Sequence, residues 1–400
     1  MSSVVAKPHR LIVLLAALVA FGPLSIDMYL PSLPLIAQDL GAPEAQIQLT
    51  ISVFLAGLCA GMLLYGPLSD RFGRRRLLLG GIALYLVATV GCILASKAEQ
   101  LVFWRLFQAL GGAGASVLAR AIVRDLFPLN DAARVLSLMH LVTMIATLIA
   151  PLLGSWLMMF DGWRAIFVAL LAFAGVCLLA SAWKIPETHP ADARGASVAA
   201  VFRAYGQIAL QPQALGYILC MGLSFGGMFA FITASPFVYI EHFGVSPQGY
   251  AWLFSLNIGG IIVATLLNAR LVTRLGTQRM LVCGASIAAL SGIALALLGG
   301  SGTGGLPAVV ICLLFYVSVT GLLGANSVAS LLSRYPKQAG AAAGLAVAGQ
   351  FGLGTACSAL VGALHDGSPL PMSLLIGVTG VGCLLALLLT RQGRPAASAQ

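Results

Sequence analysis

Residues 66–77 read GPLSDRFGRRRL, and residues 269–280 read ARLVTRLGTQRM. At one constant offset Arg71 aligns with Arg274, Gly73 with Gly276 and Arg76 with Arg279. Each segment follows a long apolar run, the second run of its half of the chain. A basic link repeated at equivalent places indicates one plan used twice.

The surroundings of those links identify the plan. Of the 400 residues, 60% are hydrophobic and only 8% charged, against about a quarter charged in an ordinary soluble domain. Apolar runs cover roughly 11–30, 46–65, 77–96, 100–121, 134–157, 164–183, 213–237, 248–268, 279–298, 307–331, 339–363 and 371–390. Each is near the ~20 residues that cross a bilayer as a helix. A barrel strand would alternate apolar and polar residues, and these runs do not. The expected fold is therefore an all-α integral membrane protein, with twelve transmembrane helices in two six-helix bundles. The bundles are read as 1–185 and 213–400, joined by a linker, 186–212. Parallel six-plus-six repeats of this kind build transporters.

Twelve spans place both termini on one side. With that side in the cytoplasm, only Lys97 and Arg164 of the 22 Lys and Arg fall outside, and Arg105 lies within a span. The rest, Lys7, Arg194 and Arg394 among them, face the cytoplasm. Such a bias follows the positive-inside rule and accounts for the +10 net charge without nucleic acid as a partner. The first run is too long for a signal-peptide core, and no small-residue cleavage site follows it. In the linker, Val198, Val201, Phe202, Tyr205 and Ile208 recur at helical spacing, as in a short helix lying on the membrane surface. All eight cysteines sit inside apolar runs without metal-ligand spacing, so they read as small hydrophobes and no metal site is expected.

In the link 66–76, Gly66 and Gly73 permit tight turns. The arginines are what a cytoplasmic loop would carry in any case; Asp70 is not. Asp70 reads as the start of the next helix, placed to pair with a cation or helix N-terminus and hold the cytoplasmic side shut. With Arg71, Arg74, Arg124 and Asp125 it forms a candidate gate, and Arg120 in ARAIVRDLF (119–127) is a further candidate for the charge network.

GPLSDRFGRRR resembles the signature loop of the major facilitator superfamily. DMYLPSLP (27–34), WRLFQALGGAGAS (104–116), RAIVRDLF (120–127) and FGGMFAFITASPFVYIE (225–241) make the chain similar to the twelve-span drug:proton antiporters of the Bcr/CflA group, named for bicyclomycin and chloramphenicol resistance. That resemblance spans the whole chain. It implies proton-driven antibiotic efflux across the bacterial cell inner membrane, with small-molecule drugs, protons and lipid as partners and a monomer as the working form. It also implies that the residues matching Asp27 and Arg105 take part in proton coupling. No Gly-Lys pair occurs, so a nucleotide-binding loop is absent and the proton gradient is the expected energy source, with no cofactor.

Asp27 lies near the outer end of the first span, and Arg105 lies at similar height in the fourth. Both are expected to share one cavity, with Met28 and Tyr29 beside them. Desolvation favours the protonated acid and a neighbouring guanidinium favours the carboxylate, so occupancy of a proton on Asp27 could follow the conformation. The plain alternatives are an acid reaching interfacial water and an arginine snorkelling to the surface. His140, in the fifth span, reads as a satisfied core histidine.

The fifth span also carries ATLIAPLLGSW (146–156). The superfamily's antiporter motif has Gly where this chain has Ala146, Ala150 and Ser155; Pro151 and Gly154 match it. Small residues at four-residue spacing favour close helix packing, and Pro151 bends the helix. In the second half the offset that finds the repeat places Ala230 opposite Asp27, so its share of a substrate cavity must be neutral: Phe225, Met228, Phe229, Asn257, Asn326 and Gln350. An importer or a metabolite exporter coupled to protons is the rival reading. A sugar carrier would want several Asn, Gln and Trp residues, and an anion carrier two buried cations.

Overall fold

The computed structural model describes residues 8–189, 198–301 and 303–391. Lys7, Arg194, Arg394 and the middle of the expected linker lie outside them. The chain forms two compact units, Met1–Val198 and Ala199–Gln400, and its described residues form helices without strands.

Unit 1 contains α1 (Pro8–Val19), α2 (Phe21–Asp27), α3 (Leu33–Asp39), α4 (Glu44–Phe72), α5 (Arg74–Leu94), α6 (Ala98–Leu126), α7 (Leu129–Asp161) and α8 (Arg164–Lys184). Unit 2 contains α10 (Pro212–Pro236), α11 (Pro247–Leu275), α12 (Thr277–Ser301), α13 (Gly305–Arg334), α14 (Ala339–Ala363) and α15 (Leu370–Arg391), preceded by a short helix, α9 (Val198–Ala209). Eleven helices among the described residues are long and apolar enough to cross a membrane. The α1–α3 stretch makes a twelfth span, bent by 43° between Leu11–Val19 and Phe21–Asp39. Along α8, Val176, Leu179 and Trp183 are 68%, 63% and 86% exposed. A stripe that apolar belongs against lipid tails.

The run expected as one span over 11–30 is broken into pieces, and its prolines explain where it breaks. A helical proline has no N–H for the carbonyl four residues earlier. Pro23 leaves Val19 unserved, and α1 ends at Val19. Pro31 leaves Asp27 unserved, and α2 ends at Asp27. One 3-10 turn, Leu30–Ser32, leads into α3. Asp27 thus stands at a break in the helix.

The two basic links have the same shape. Gly73 stands between α4 and α5 with φ 94° and ψ 148°, and its N–H donates to the Ser69 carbonyl at 3.0 Å. Gly276 stands between α11 and α12 with φ 81° and ψ 157°, and its N–H donates to the Val272 carbonyl at 2.9 Å. Such positive φ values suit glycine alone among ordinary residues. Asp70 consequently lies in the last turn of α4; the next helix begins at Arg74, not at Asp70 as the sequence suggested.

Ile208 of α9 is buried with Ala214, Ile218, Met221, Leu331, Ala342 and Ala346. The Tyr205 hydroxyl lies against Gly344, while Phe202 remains exposed. The apolar stripe therefore divides between the core of unit 2 and the surface.

Candidate functional site

Asp27 is buried at the end of α2. The Thr147 side chain on α7 lies near the Asp27 carboxyl. Seven residues further along α7, Gly154 touches the same segment: a Cβ there would sit 2.0 Å from the Met28 carbonyl oxygen. The position can hold only glycine while α7 approaches that closely. The small residues of the fifth span thus bring a helix against the backbone next to the buried acid. Ala150 and Pro151 are buried in the same stretch and Ala146 is half-buried.

Arg105 is completely buried on α6, and no ion pair joins it to Asp27. Its Nη1 donates to the Ser25 carbonyl at 3.0 Å and to Gln108 Oε1 at 2.8 Å. Nε and Nη2 have no hydrogen-bond partner. Aromatic faces stand in their place: the guanidinium carbon is 4.1 Å from the Phe54 ring centre, 4.5 Å from Tyr29 and 6.0 Å from Phe167. A ring quadrupole attracts a cation most strongly where water is excluded. Arg105 therefore does not snorkel; it sits in an aromatic cage fed by three different spans.

A closed polar chain supports the cage. Gln108 Nε2 donates to the Thr89 hydroxyl at 2.9 Å, and Thr89 donates to the Tyr85 carbonyl at 2.7 Å. Ser25 spends its one proton on the Phe21 carbonyl at 2.6 Å. The Tyr85 hydroxyl, 2.6 Å from Ser25 Oγ, must then be the donor of that pair. Thr50 similarly donates to the Ile47 carbonyl at 2.5 Å and accepts from the Tyr29 hydroxyl at 3.0 Å. Sequence reasoning singled out Asp27, Tyr29 and Arg105 here. It missed Ser25, Thr50, Tyr85, Thr89, Gln108 and Thr147, because single hydroxyls and amides in apolar runs carry no local signal.

At the other end of the unit, Arg74 organises the charge network. Its Nη1 pairs with Asp70 Oδ1 at 2.6 Å and its Nε with Asp125 Oδ2 at 3.2 Å; Nη1 also donates to the Ser69 hydroxyl. The backbone N–H of Arg74 donates to Glu187 Oε1 at 2.8 Å, and Thr188 donates to Asp125 Oδ2 at 2.9 Å. Arg75 donates to the carbonyls of Ile185 and Ala182. Ends of α4, α5, α6 and α8 are thereby laced together. Gly66 accepts from the Ser69 hydroxyl at 2.8 Å. Arg71 lies outside the lacing, its guanidinium 5.4 Å from the Phe72 ring. Arg124 is exposed and joins no ion pair. Glu187, at the edge of the linker, was not foreseen.

The six candidates of unit 2 do not form one set. Phe225 and Phe229 have ring centres 6.4 Å apart, and Phe229 stands 5.9 Å from Phe351. The Met228 sulfur lies 3.6 Å from the Thr320 hydroxyl, which donates to the Val317 carbonyl at 2.7 Å. Asn326 is committed to packing: its amide donates to Asn268 Oδ1 at 2.7 Å and to the Leu322 carbonyl at 3.0 Å. Asn257 is buried and donates to the Leu253 carbonyl at 2.9 Å, and its Oδ1 has no partner. Gln350 is half-buried on α14. No group of His, Cys, Asp and Glu among the described residues is arranged to hold a metal.

The sequence profile of the Major Facilitator Superfamily matches residues 14–359, and matches again over 217–400. A bicyclomycin resistance protein homolog of Haemophilus influenzae is 34% identical over 370 residues, covering 91% of this chain and 92% of its own length. YdgK of Bacillus subtilis, described as an uncharacterized MFS-type transporter, is 32% identical over 386 residues, 95% of each chain. A chloramphenicol resistance protein of Pseudomonas aeruginosa is 33% identical over 278 residues, 68% of this chain and 64% of its own. Among solved structures, a D-xylose-proton symporter superposes with a TM-score of 0.72 at 19% identity, covering 94% of this chain and 96% of that one. The nucleoside transporter NupG gives 0.75 at 13% identity, covering 96% and 100%. At such identities the likeness is one of fold.

Proposed function

The chain belongs to the Major Facilitator Superfamily, a family of multi-pass membrane transporters and not of enzymes, and on that basis we propose that it exports drug-like small molecules from the bacterial cytoplasm in exchange for inward-moving protons. The observation that carries the reading is Asp27: a lone carboxyl buried at a helix break, with Thr147 of α7 nearby. Relatives named for bicyclomycin and chloramphenicol resistance support the cargo class.

In this reading both termini lie in the cytoplasm, the protein works in the inner membrane as a monomer, and access to its cargo alternates between the two sides. Facing outward, Asp27 takes a proton and cargo leaves; facing inward, it loses the proton and new cargo binds. The caged Arg105 keeps a fixed positive charge in the same bundle, so the electrostatic balance changes by one unit with the state of Asp27. The lacing around Arg74 closes the cytoplasmic end of unit 1 when access is outward. Phe225, Met228 and Gln350, half-buried and neutral, would suit varied cargo.

The energy suffices without nucleotide or cofactor. A charge crossing 100 mV releases about 2.3 kcal/mol, and each pH unit adds about 1.4 kcal/mol. One proton per cycle supports a cargo gradient of roughly a hundredfold or more.

The test is a susceptibility panel in an efflux-deficient bacterium expressing wild type or Asp27→Asn. Wild type should raise resistance to at least one antibiotic, and Asp27→Asn should abolish that protection at equal membrane abundance. A wild type that protects against none removes drug export; an Asp27→Asn variant that protects fully removes the acid from coupling.

A further inference from the structure

Arg120 and His140, which neither network uses, are exposed, although His140 was expected in the core. Tyr239 is equally unused and is completely buried. Its hydroxyl has no hydrogen-bond partner. A buried hydroxyl left unpaired is uncommon, because it has given up water for nothing. The ring itself is well packed. Its centre lies 6.3 Å from that of Phe231 and 6.0 Å from that of Tyr250, and Phe231 stacks on Phe254 at 5.9 Å. The other hydroxyl of this cluster is paired: Tyr250 Oη lies 3.2 Å from Ser235 Oγ.

The backbone around Tyr239 is as unusual as its side chain. α10 ends at Pro236, which has no N–H for the Ile232 carbonyl. Beyond it, Phe237–His242 winds as a π turn, bonding five residues back where an α-helix bonds four. The Phe243 N–H donates to the Val238 carbonyl at 3.1 Å, and the Val245 N–H reaches back to the Tyr239 carbonyl at 2.9 Å. Gly244, at φ 68°, closes this wide turn. A π turn holds one residue more than the α-helical path it interrupts. Passing that residue on carries the segment into α register, turning each side chain by about 100° and shifting it about 1.5 Å along the axis. The bond missing at Pro236 lets the segment move without the rest of α10. Glu241 and His242 are exposed, so this end of the span borders water.

We propose that Phe237–His242 is a register switch, π in this structure and α in another state of the transport cycle, and that Tyr239 changes surroundings with it. In π register the ring fills the cluster of Phe231, Tyr250 and Phe254 and leaves its hydroxyl unserved. In α register the turn carries Tyr239 out of the cluster, and its hydroxyl reaches water at the end of the span. The unserved hydroxyl disfavours the π state and the ring packing favours it, so neither register is fixed. The switch rests on the alternating-access reading proposed above, not on the identity of the cargo.

The test uses the purified full-length protein. Tyr239→Phe keeps the ring and removes the unserved hydroxyl, so it should favour the π state. Its thermal midpoint should rise by about 1–3 °C, and hydrogen exchange over 237–245 should slow severalfold while 213–234 is unchanged. Tyr250→Phe removes a paired hydroxyl from the same cluster and should lower the midpoint. In cells, Tyr239→Phe should weaken wild-type resistance about fivefold at equal membrane abundance, because the cycle stalls in the favoured register. A tyrosine with a purely structural role would give the opposite sign, a lower midpoint. A lowered or unchanged midpoint, unchanged exchange over 237–245, or full resistance from Tyr239→Phe overturns the proposal. If wild type protects against no antibiotic, drug export fails, and the midpoint and exchange still decide the switch.

Discussion

Arg105 shows how much of a site depends on one side chain's shape. Charge alone would be satisfied by lysine. The cage requires a flat cation, because Phe54 and Tyr29 approach its plane at 4.1 and 4.5 Å while Nη1 serves Ser25 and Gln108. Arg105→Lys should therefore destabilise unit 1 by about 1–2 kcal/mol, visible as a lowered thermal midpoint of the purified protein. An unchanged midpoint would remove the cage as a structural element. Tyr29→Phe should lose about 1 kcal/mol through the bond to Thr50 while keeping the ring over Arg105. At this scale the sequence was half legible. Arg105 is conspicuous as a charge in an apolar run, and Asp27 likewise. Their partners are not, since Phe54, Phe167 and Gln108 look like any other residues of a spanning helix, and proximity across spans leaves no trace in local composition. The expectation that Asp27 and Arg105 share one cavity rested on their similar height. Height does not specify which way a side chain turns around its helix.

Among the helices, α7 and the broken α1–α3 stretch work as a pair. Gly154→Ala would push a methyl into the Met28 carbonyl; backbone cannot yield as a flexible side chain does. The expected penalty is about 1–3 kcal/mol for overpacking, with Asp27 shifted from Thr147 and transport reduced; Ala150→Gly, which only removes a methyl, is the contrast. Native-like stability and full resistance in Gly154→Ala would show that α7 does not press on this segment. Pro31→Ala restores the N–H that the Asp27 carbonyl lacks, so α2 should lengthen; hydrogen exchange of residues 27–33 should slow if it does. The long runs announced the helices because twenty apolar residues have few other fates. Their interruptions were also written in the chain, as prolines four residues past Val19 and Asp27. For Asp70 the glycine, not the acid, marked the boundary: only Gly73 adopts φ 94° at that corner.

For the chain as a whole, unit 1 is tied at both ends. Arg74 gathers Asp70, Asp125 and Glu187 at one. At the other, Asp39 pairs with Arg164 at 2.9 Å and accepts from Trp163 Nε1 at 2.9 Å, and Arg164 also donates to the Ile93 and Ala95 carbonyls. Arg74→Gln removes two ion pairs at once and should speed hydrogen exchange in 66–76 and 182–188 severalfold while leaving the Asp39 end unchanged. Equal exchange at the Arg74 end would deny the lacing any hold on those helices. The repeat itself was legible from three aligned residues, and the matching Gly73 and Gly276 turns give it a physical basis. The ties were not, because Glu187 and Asp39 lie in segments that read as ordinary connections. The proline breaks of α1–α3 carry a consequence for biogenesis. These residues leave the ribosome before the other spans of unit 1, yet they form the span least able to stand alone in a bilayer, with carbonyls at Val19 and Asp27 lacking their intrahelical donors and a carboxyl in their midst. Thr147, which lies near that carboxyl, is synthesised well over a hundred residues later. The opening segment should therefore linger at the insertion machinery, or near its lipid boundary, until the fifth span emerges to receive it.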